Sequence, residues 1–225
     1  MKKKTLLIIT IVISLSIILS TLYVFASNNR FSPEGVGNEL KQIYSNDNRS
    51  IIVAEVNNTP IYSHQVAFKK LSHEFIRAKT FSFCPEGDLS YAEAEFSRYP
   101  LNENEIIIQI AKELVLLEAA SQVGISYTDD EILAIILYEA EYIQNEIQKG
   151  NEQMMQRDLE DRAFLDALGM TRDEFNTSIY LDVIRYSTIF KEYCVYYYSN
   201  IIETSNCSFE SHIDELFSKS IFHIR

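Results

Sequence analysis

Residues able to do chemistry are present in this chain, but not in the patterns that chemistry requires. His73-Glu74 begins like the His-Glu-x-x-His helix of zinc proteases, where two histidines one turn apart hold the metal and the glutamate acts as base. Position 77 is Arg77, so the second ligand is missing. The other histidines, His64, His212 and His223, stand at no metal-ligand spacing. Acidic pairs such as Asp129/Asp130 and Asp173/Glu174 could share acid and base roles. Each follows a threonine just after a glycine break, where carboxylates complement the positive end of a starting helix. Serine, histidine and aspartate all occur, yet no Gly-x-Ser-x-Gly elbow presents a nucleophile. The expectation is no enzyme: no catalytic residue, no metal and no cofactor.

Cysteine chemistry is equally unpromising. Cys84, Cys194 and Cys207 make an odd count, and Cys194 falls on an apolar helical stripe, as a small buried hydrophobe would. No disulfide framework is expected.

What stands out instead is aromatic contact surface. Tyr193, Tyr196, Tyr197 and Tyr198 cluster near Phe190, and Phe81, Phe83, Tyr91, Phe96 and Tyr99 fall in the stretch 80–101. One reading is a core with some half-exposed tyrosines, since scattered surface aromatics are normal. The other is an adaptable surface for unfolded, apolar-aromatic segments, on which tyrosine offers a large contact area at low entropic cost. Under that second reading the candidate contact residues are Phe75, Phe81, Phe83, Tyr186, Phe190, Tyr193 and Tyr197.

The elements that must position these residues are mostly helices, because Gly (6) and Pro (4) are both scarce. Residues 27–50 read as a polar linker, with a short helical turn near Leu40 to Tyr44. Ile51 to Val56 is a β-branched run closed by Asn57-Asn58-Thr59-Pro60 and resumed by Ile61-Tyr62, which is a strand, a turn and a second strand or a strand flowing into a helix. Ser63 caps a helix to about Lys79, with Ala67, Leu71, Phe75 and Ala78 on one face. Residues 80–101 form a loop or irregular insertion. Asn102 caps the next helix, apolar almost all round, which runs to about Val123 and is the central one.

Gly124 then stops that helix, and Thr128-Asp129-Asp130-Glu131 is a capping box opening another, to about Gln148, with Ile132, Ile136, Ala140, Ile143 and Ile147 inward. Gly150 is a further stop, and residues 151–168 are helical again. The punctuation repeats at Gly169 and Thr171-Arg172-Asp173-Glu174. A long helix follows, with Phe175, Ile179, Val183, Tyr186, Phe190, Cys194, Tyr197 and Ile201 on one seam of about 27 residues, roughly 40 Å at 1.5 Å per residue. Phe209 to Ser218 is a last helix and Ile221–Ile224 a closing strand.

Charge and the N-terminus bound the function. Lys2, Lys3 and Lys4 precede an uncharged run from Leu6 to Phe25, as long as the ~20 residues a membrane-spanning helix needs. Residues 1–26 therefore read as a signal peptide or membrane anchor, with retention at the cell membrane favoured and the soluble domain outside the cytoplasm. The alternative is secretion after cleavage near Ala26, where small residues fit the −3 and −1 sites. The net charge of −12 falls to about −15 without that segment, so nucleic acid is not an expected partner.

In order, Val53-Ala54-Glu55-Val56-Asn57-Asn58-Thr59-Pro60-Ile61, the capped helix, Glu113-Leu114-Val115-Leu116-Leu117-Glu118-Ala119-Ala120, Gly124-Ile125 and Thr128-Asp129-Asp130-Glu131-Ile132 resemble the N-terminal domain of the SurA/PrsA-type extracytoplasmic chaperones. Phe164 to Phe175, with Leu168-Gly169-Met170-Thr171 at its centre, resembles a later helix start of that family. The resemblance covers residues 51–225. Asn58 stands where the family usually has glycine, a mild departure since asparagine tolerates the same turn. No parvulin-type isomerase domain follows, so prolyl isomerase activity is not implied.

The resemblance implies a mainly helical domain at 51–225 with a small β pair joining its ends, Ile221–Ile224 returning to Ile51–Val56. It also implies binding of unfolded or partly folded exported polypeptides without catalysis. The alternative function is a membrane-anchored interaction subunit that docks one folded partner through the long C-terminal helix.

Overall fold

Side-chain caps and left-handed residues set where the helices begin and end. The computed structural model describes residues 29–45, 51–83, 96, 98–201 and 207–225. Within these, a short 3-10 turn at Asn29–Phe31 leads into α1 (Pro33–Ser45), followed by β1 (Ile52–Val56), β2 (Thr59–Tyr62) and α2 (Ser63–Phe83). Then come α3 (Glu103–Gln122), α4 (Asp129–Gln148), α5 (Glu152–Leu168), a single turn α6 (Arg172–Phe175) and a π-helical turn Asn176–Tyr180. The chain closes with α7 (Leu181–Asn200), α8 (Phe209–Ser218) and β3 (Phe222–Ile224). The protein is mainly helical with a small antiparallel sheet, as the patterning predicts. The signal or anchor at 1–26 lies outside the described residues, as do most of the expected loop at 80–101, including Cys84 and Tyr91, and the side chains of Phe81 and Phe83. No helix among the described residues is long and apolar enough to cross a membrane.

The chain divides into two units. One takes the described residues within Met1–Ser45, Ala78–Asp88 and Asp129–Leu181; the other takes those within Asn46–Arg77, Leu89–Thr128 and Asp182–Arg225.

In the second unit the sheet order is β2-β1-β3, all antiparallel. Asn57 and Asn58 both have positive φ (47° and 66°), the geometry a two-residue hairpin turn demands and asparagine tolerates. Asn57 also holds the sheet's far end. Its N–H donates to Ile221 O (2.9 Å), its Oδ1 accepts from Ile221 N–H (3.0 Å), and its Nδ2 donates to Glu118 Oε2 on α3 (2.7 Å). The expected return strand is present: Ala54, Glu55 and Val56 pair with Ile224, His223 and Phe222. Alternation on β1 buries Ala54 and Val56, which pack with Ile61, Val66 and Ile106, Ile107, Ile110 and Val115 of α3. Asn102 caps α3 as expected, accepting from Asn104 N–H (3.0 Å) and Glu105 N–H (3.4 Å). The far side of α3 supplies Leu116, Ala119 and Ala120 to a second, aromatic cluster. This helix lies between two clusters, which is why it is apolar almost all round.

The first unit corrects one expectation. Residues 33–45, read as linker, form a 13-residue helix. Ser32 caps it, its Oγ accepting from Gly35 N–H at 3.1 Å, and Pro33 occupies the first helical position, where its missing N–H costs nothing. Gly37 is not a linker glycine. A Cβ there would stand 2.5 Å from Phe164 O and 3.0 Å from Ala167 Cβ, so its bare backbone is what lets α1 lie against α5. Glycine was mistaken for flexibility where it serves close packing.

The glycine stops behave as read. Gly124 and Gly169 are left-handed (φ 81° and 76°), and Gly169 N–H donates to Leu165 O at 2.9 Å. After it the Thr171 capping box is complete: Glu174 N–H donates to Thr171 Oγ1 (3.2 Å) and Thr171 N–H to Glu174 Oε2 (2.8 Å). The seam beyond it does not run as expected. The π turn at Asn176–Tyr180 adds a residue, and each residue rotates a helix by about 100°. The buried positions thereafter are Leu181, Ile184, Thr188, Ile189, Tyr193 and Tyr197, while Val183, Tyr186, Phe190 and Cys194 are half-buried.

Candidate functional site

Two features of the first unit stand apart from ordinary packing. The first is a cavity of about 90 Å³. Ile136, Glu139, Ala140 and Ile143 reach it at spacings of three and four, one face of α4. Arg157, Asp161, Phe164 and Leu165 do the same from α5, and Arg172, Phe175, Asn176 and Tyr180 complete the wall. The π turn aims the last two. Thr177 Oγ1 donates to Asp173 O (2.8 Å) and Ser178 Oγ to Glu174 O, so hydroxyls occupy carbonyls that the widened turn disturbs. Phe175 stacks on Tyr180 (5.6 Å between centroids, 20°) and meets Phe164 edge-on (5.4 Å, 81°).

The electrostatics of this cavity are mixed. Arg172 binds Asp161 (3.3 Å) and lies 3.8 Å from Asp158, which also pairs with Arg162 (2.5 Å). Burial pushes the Asp161 carboxyl up from its ordinary range, opposed by Arg172 and Arg157. The Tyr180 hydroxyl points at Glu139 Oε2 over a long 3.5 Å. Burial first, and the Glu139 charge second, push the Tyr180 phenol far above its usual value, so it stays protonated. The cavity thus combines opposite charges, aromatic faces and a protonated phenol.

The second feature is a set of large apolar side chains pointing outward: Leu137, Tyr138 and Tyr142 on α4, Met155 and Leu159 on α5. Leu137 and Leu159 are each 59% exposed. These residues were missed in the aromatic reading. Their signal was available, because the stretch Ile132 to Tyr142 holds more apolar residues than the inward face can use.

The residues proposed from sequence are placed differently. Tyr197 is fully enclosed and Tyr193 nearly so. Tyr197 Oη donates to Cys207 O, Tyr193 Oη lies 3.0 Å from His212 Nε2, and both rings pack on Phe209 of α8 (5.3 and 6.2 Å). They are core residues that hold α8 to α7, because the next helix in the chain covers them. Phe190 meets Phe209 edge-on at 5.5 Å and Tyr186 leans on Phe190 at 5.9 Å, each half-buried in the same cluster. Lys69 lies over the Tyr186 ring at 6.0 Å. Phe75 is half-buried on α2.

The histidines have structural partners. His73 is buried with Nδ1 2.7 Å from Pro100 O, and burial holds its pKa below the ordinary value. His64 stacks on Tyr62 at 5.7 Å, and His212 sits 4.8 Å from the Tyr197 ring. Among the described residues no group of three or more His, Cys, Asp or Glu is placed to hold a metal ion. Cys194 and Cys207 are free thiols, and burial raises the Cys194 pKa.

Comparison with known proteins returns no matching family model, no matching curated protein and no matching solved structure.

Proposed function

We propose that this chain is an extracytoplasmic, chaperone-like protein that holds non-native exported polypeptides by contact, without catalysis. The observation that carries the reading is the outward apolar set on α4 and α5: Leu137, Tyr138, Tyr142, Met155 and Leu159. Large apolar side chains on neighbouring helices offer sequence-tolerant contact to unfolded segments. A net charge of −12 helps such a surface remain soluble. The resemblance to SurA/PrsA-type N-terminal domains supports the same reading. So does the pairing of β3 with β1, which was expected from that resemblance.

Suppression of aggregation of a chemically denatured test protein is the direct assay. The full chain is expected to reduce light scattering, and the variant L137S/Y142S/L159S to lose most of that protection while remaining folded. A wild-type chain without effect on scattering would refute the proposal.

A second reading, docking of one folded partner through the C-terminal helix, is favoured by Val195 and Tyr198. These lie one turn apart on α7 and are 66% and 52% exposed. Saturable binding to a single partner, abolished by V195S/Y198S and indifferent to denatured protein, would select it. Attachment through residues 6–25 belongs to both readings, and the mass of the mature N-terminus distinguishes an anchored chain from a released one.

A further inference from the structure

The polar residues of the first unit's cavity are not among the outward apolar set, and their chemistry points to a small ligand. Arg157 is the informative one. Its Nε is buried without a hydrogen-bond partner, and among the described residues its guanidinium forms no ion pair. The nearby carboxylates are engaged elsewhere: Asp161 with Arg172 at 3.3 Å, Asp158 with Arg162 at 2.5 Å. A buried guanidinium nitrogen without a hydrogen-bond partner is costly, and the planar fork it belongs to matches a carboxylate with two parallel hydrogen bonds.

A simple anion would still sit badly here, because Glu139 and Asp161 line the same space. A simple amine would meet Arg157 and Arg172. A molecule carrying both charges meets neither objection. The apolar part of the wall, Ile143 and Phe164, leaves a place for a short side chain. The cavity volume of about 90 Å³ suits a small molecule. The π turn adds a second indication, since such turns are frequent at functional sites and this one delivers Asn176 and Tyr180 to the cavity.

We infer that this cavity binds a small free α-amino acid, its carboxylate on Arg157, its ammonium toward Glu139 and Asp161, and its side chain against Ile143 and Phe164. The site is separate from the outward apolar faces, so the inference stands or falls independently of client holding.

Calorimetric titration of the full chain with glycine, L-alanine and L-serine tests it. At least one of them is expected to bind saturably at one site. Propionate, which lacks the ammonium, and L-alaninamide, which lacks the carboxylate, should each bind at least about tenfold more weakly. Arg157→Met should weaken binding by about tenfold or more with an unchanged circular dichroism spectrum. If that variant does not fold, Arg157→Lys decides, since it keeps the charge and loses the fork; it should fold and still bind several-fold more weakly. Absence of saturable binding by all three amino acids would overturn the inference. So would equal affinity for propionate, or full affinity in a folded Arg157 variant.

Discussion

The aromatic cluster of the second unit and the outer faces of α4 and α5 in the first place large side chains in opposite ways. In the second unit Tyr193, Tyr197 and Phe209 turn inward, and the tyrosine hydroxyls find partners in His212 and Cys207 O. In the first, Leu137, Tyr138, Tyr142, Met155 and Leu159 turn outward, and a cavity holds the buried, unpartnered Nε of Arg157. The contrast teaches that aromatic richness in a sequence does not identify a contact surface. Inward rings with satisfied polar tips contribute stability, whereas outward ones contribute little to folding and remain available for partners.

The largest test of this division is Tyr197→Ala. Removing a fully enclosed ring is expected to cost about 3–5 kcal/mol in urea unfolding, by lost transfer energy and a residual cavity. A cost below about 1 kcal/mol would mean that α8 does not seal the cluster and that Tyr197 is accessible after all.

Gly37→Ala is next and probes packing in the first unit. Alanine ordinarily stabilises a helix interior by about 0.5–1 kcal/mol relative to glycine. Here its Cβ would meet Phe164 O at 2.5 Å, and backbone cannot swing aside as a side chain can. The expected sign is therefore reversed, a loss of about 1–3 kcal/mol by overpacking. A gain in stability would show that α1 is not pressed against α5.

Thr171→Ala should cost about 1 kcal/mol, since it removes the hydroxyl that caps the turn before Phe175 and Tyr180. Its pH dependence has a definite sign. The Thr171 N–H, then its hydroxyl, hold the Glu174 carboxyl below its ordinary value of 4.5. A folded-state pKa that is depressed contributes stability that is complete above the unfolded value and is lost as pH falls through the folded one. The difference between wild type and Glu174→Gln should accordingly shrink as pH falls below 4.5. A difference that grows with acidity would contradict the capping box.

The smallest effect on folding is expected from L137S/Y142S/L159S, within about 0.5 kcal/mol per site in the same unfolding assay, because these side chains are 39% to 59% exposed. Together with lost suppression of aggregation, that result would sharpen the contrast between the units. A large stability loss would instead make the outward set part of a covered core.

Much of the fold was legible. Asn102, Gly124 and Thr171 mark their boundaries by local chemistry, and the Asn57-Asn58 turn is visible because few other pairs accept two positive φ values. Illegible were the π turn, which looks like any other helical stretch of Asn-Thr-Ser-Ile-Tyr, and the helix at 33–45, whose glycines imitate a linker. The cavity was illegible too, because Glu139, Arg157, Asp161 and Tyr180 come from three separate stretches with no shared motif.

By itself, then, the sequence determined the helical character and the stops and caps, which depend on neighbouring residues. The pairing of the last strand with the first was implied only by the family resemblance. Which aromatics are inside, which buried nitrogen lacks a partner and where a glycine means contact were decided only in three dimensions. Those properties depend on what a distant segment covers, and burial is a property of the packed chain rather than of any stretch of it.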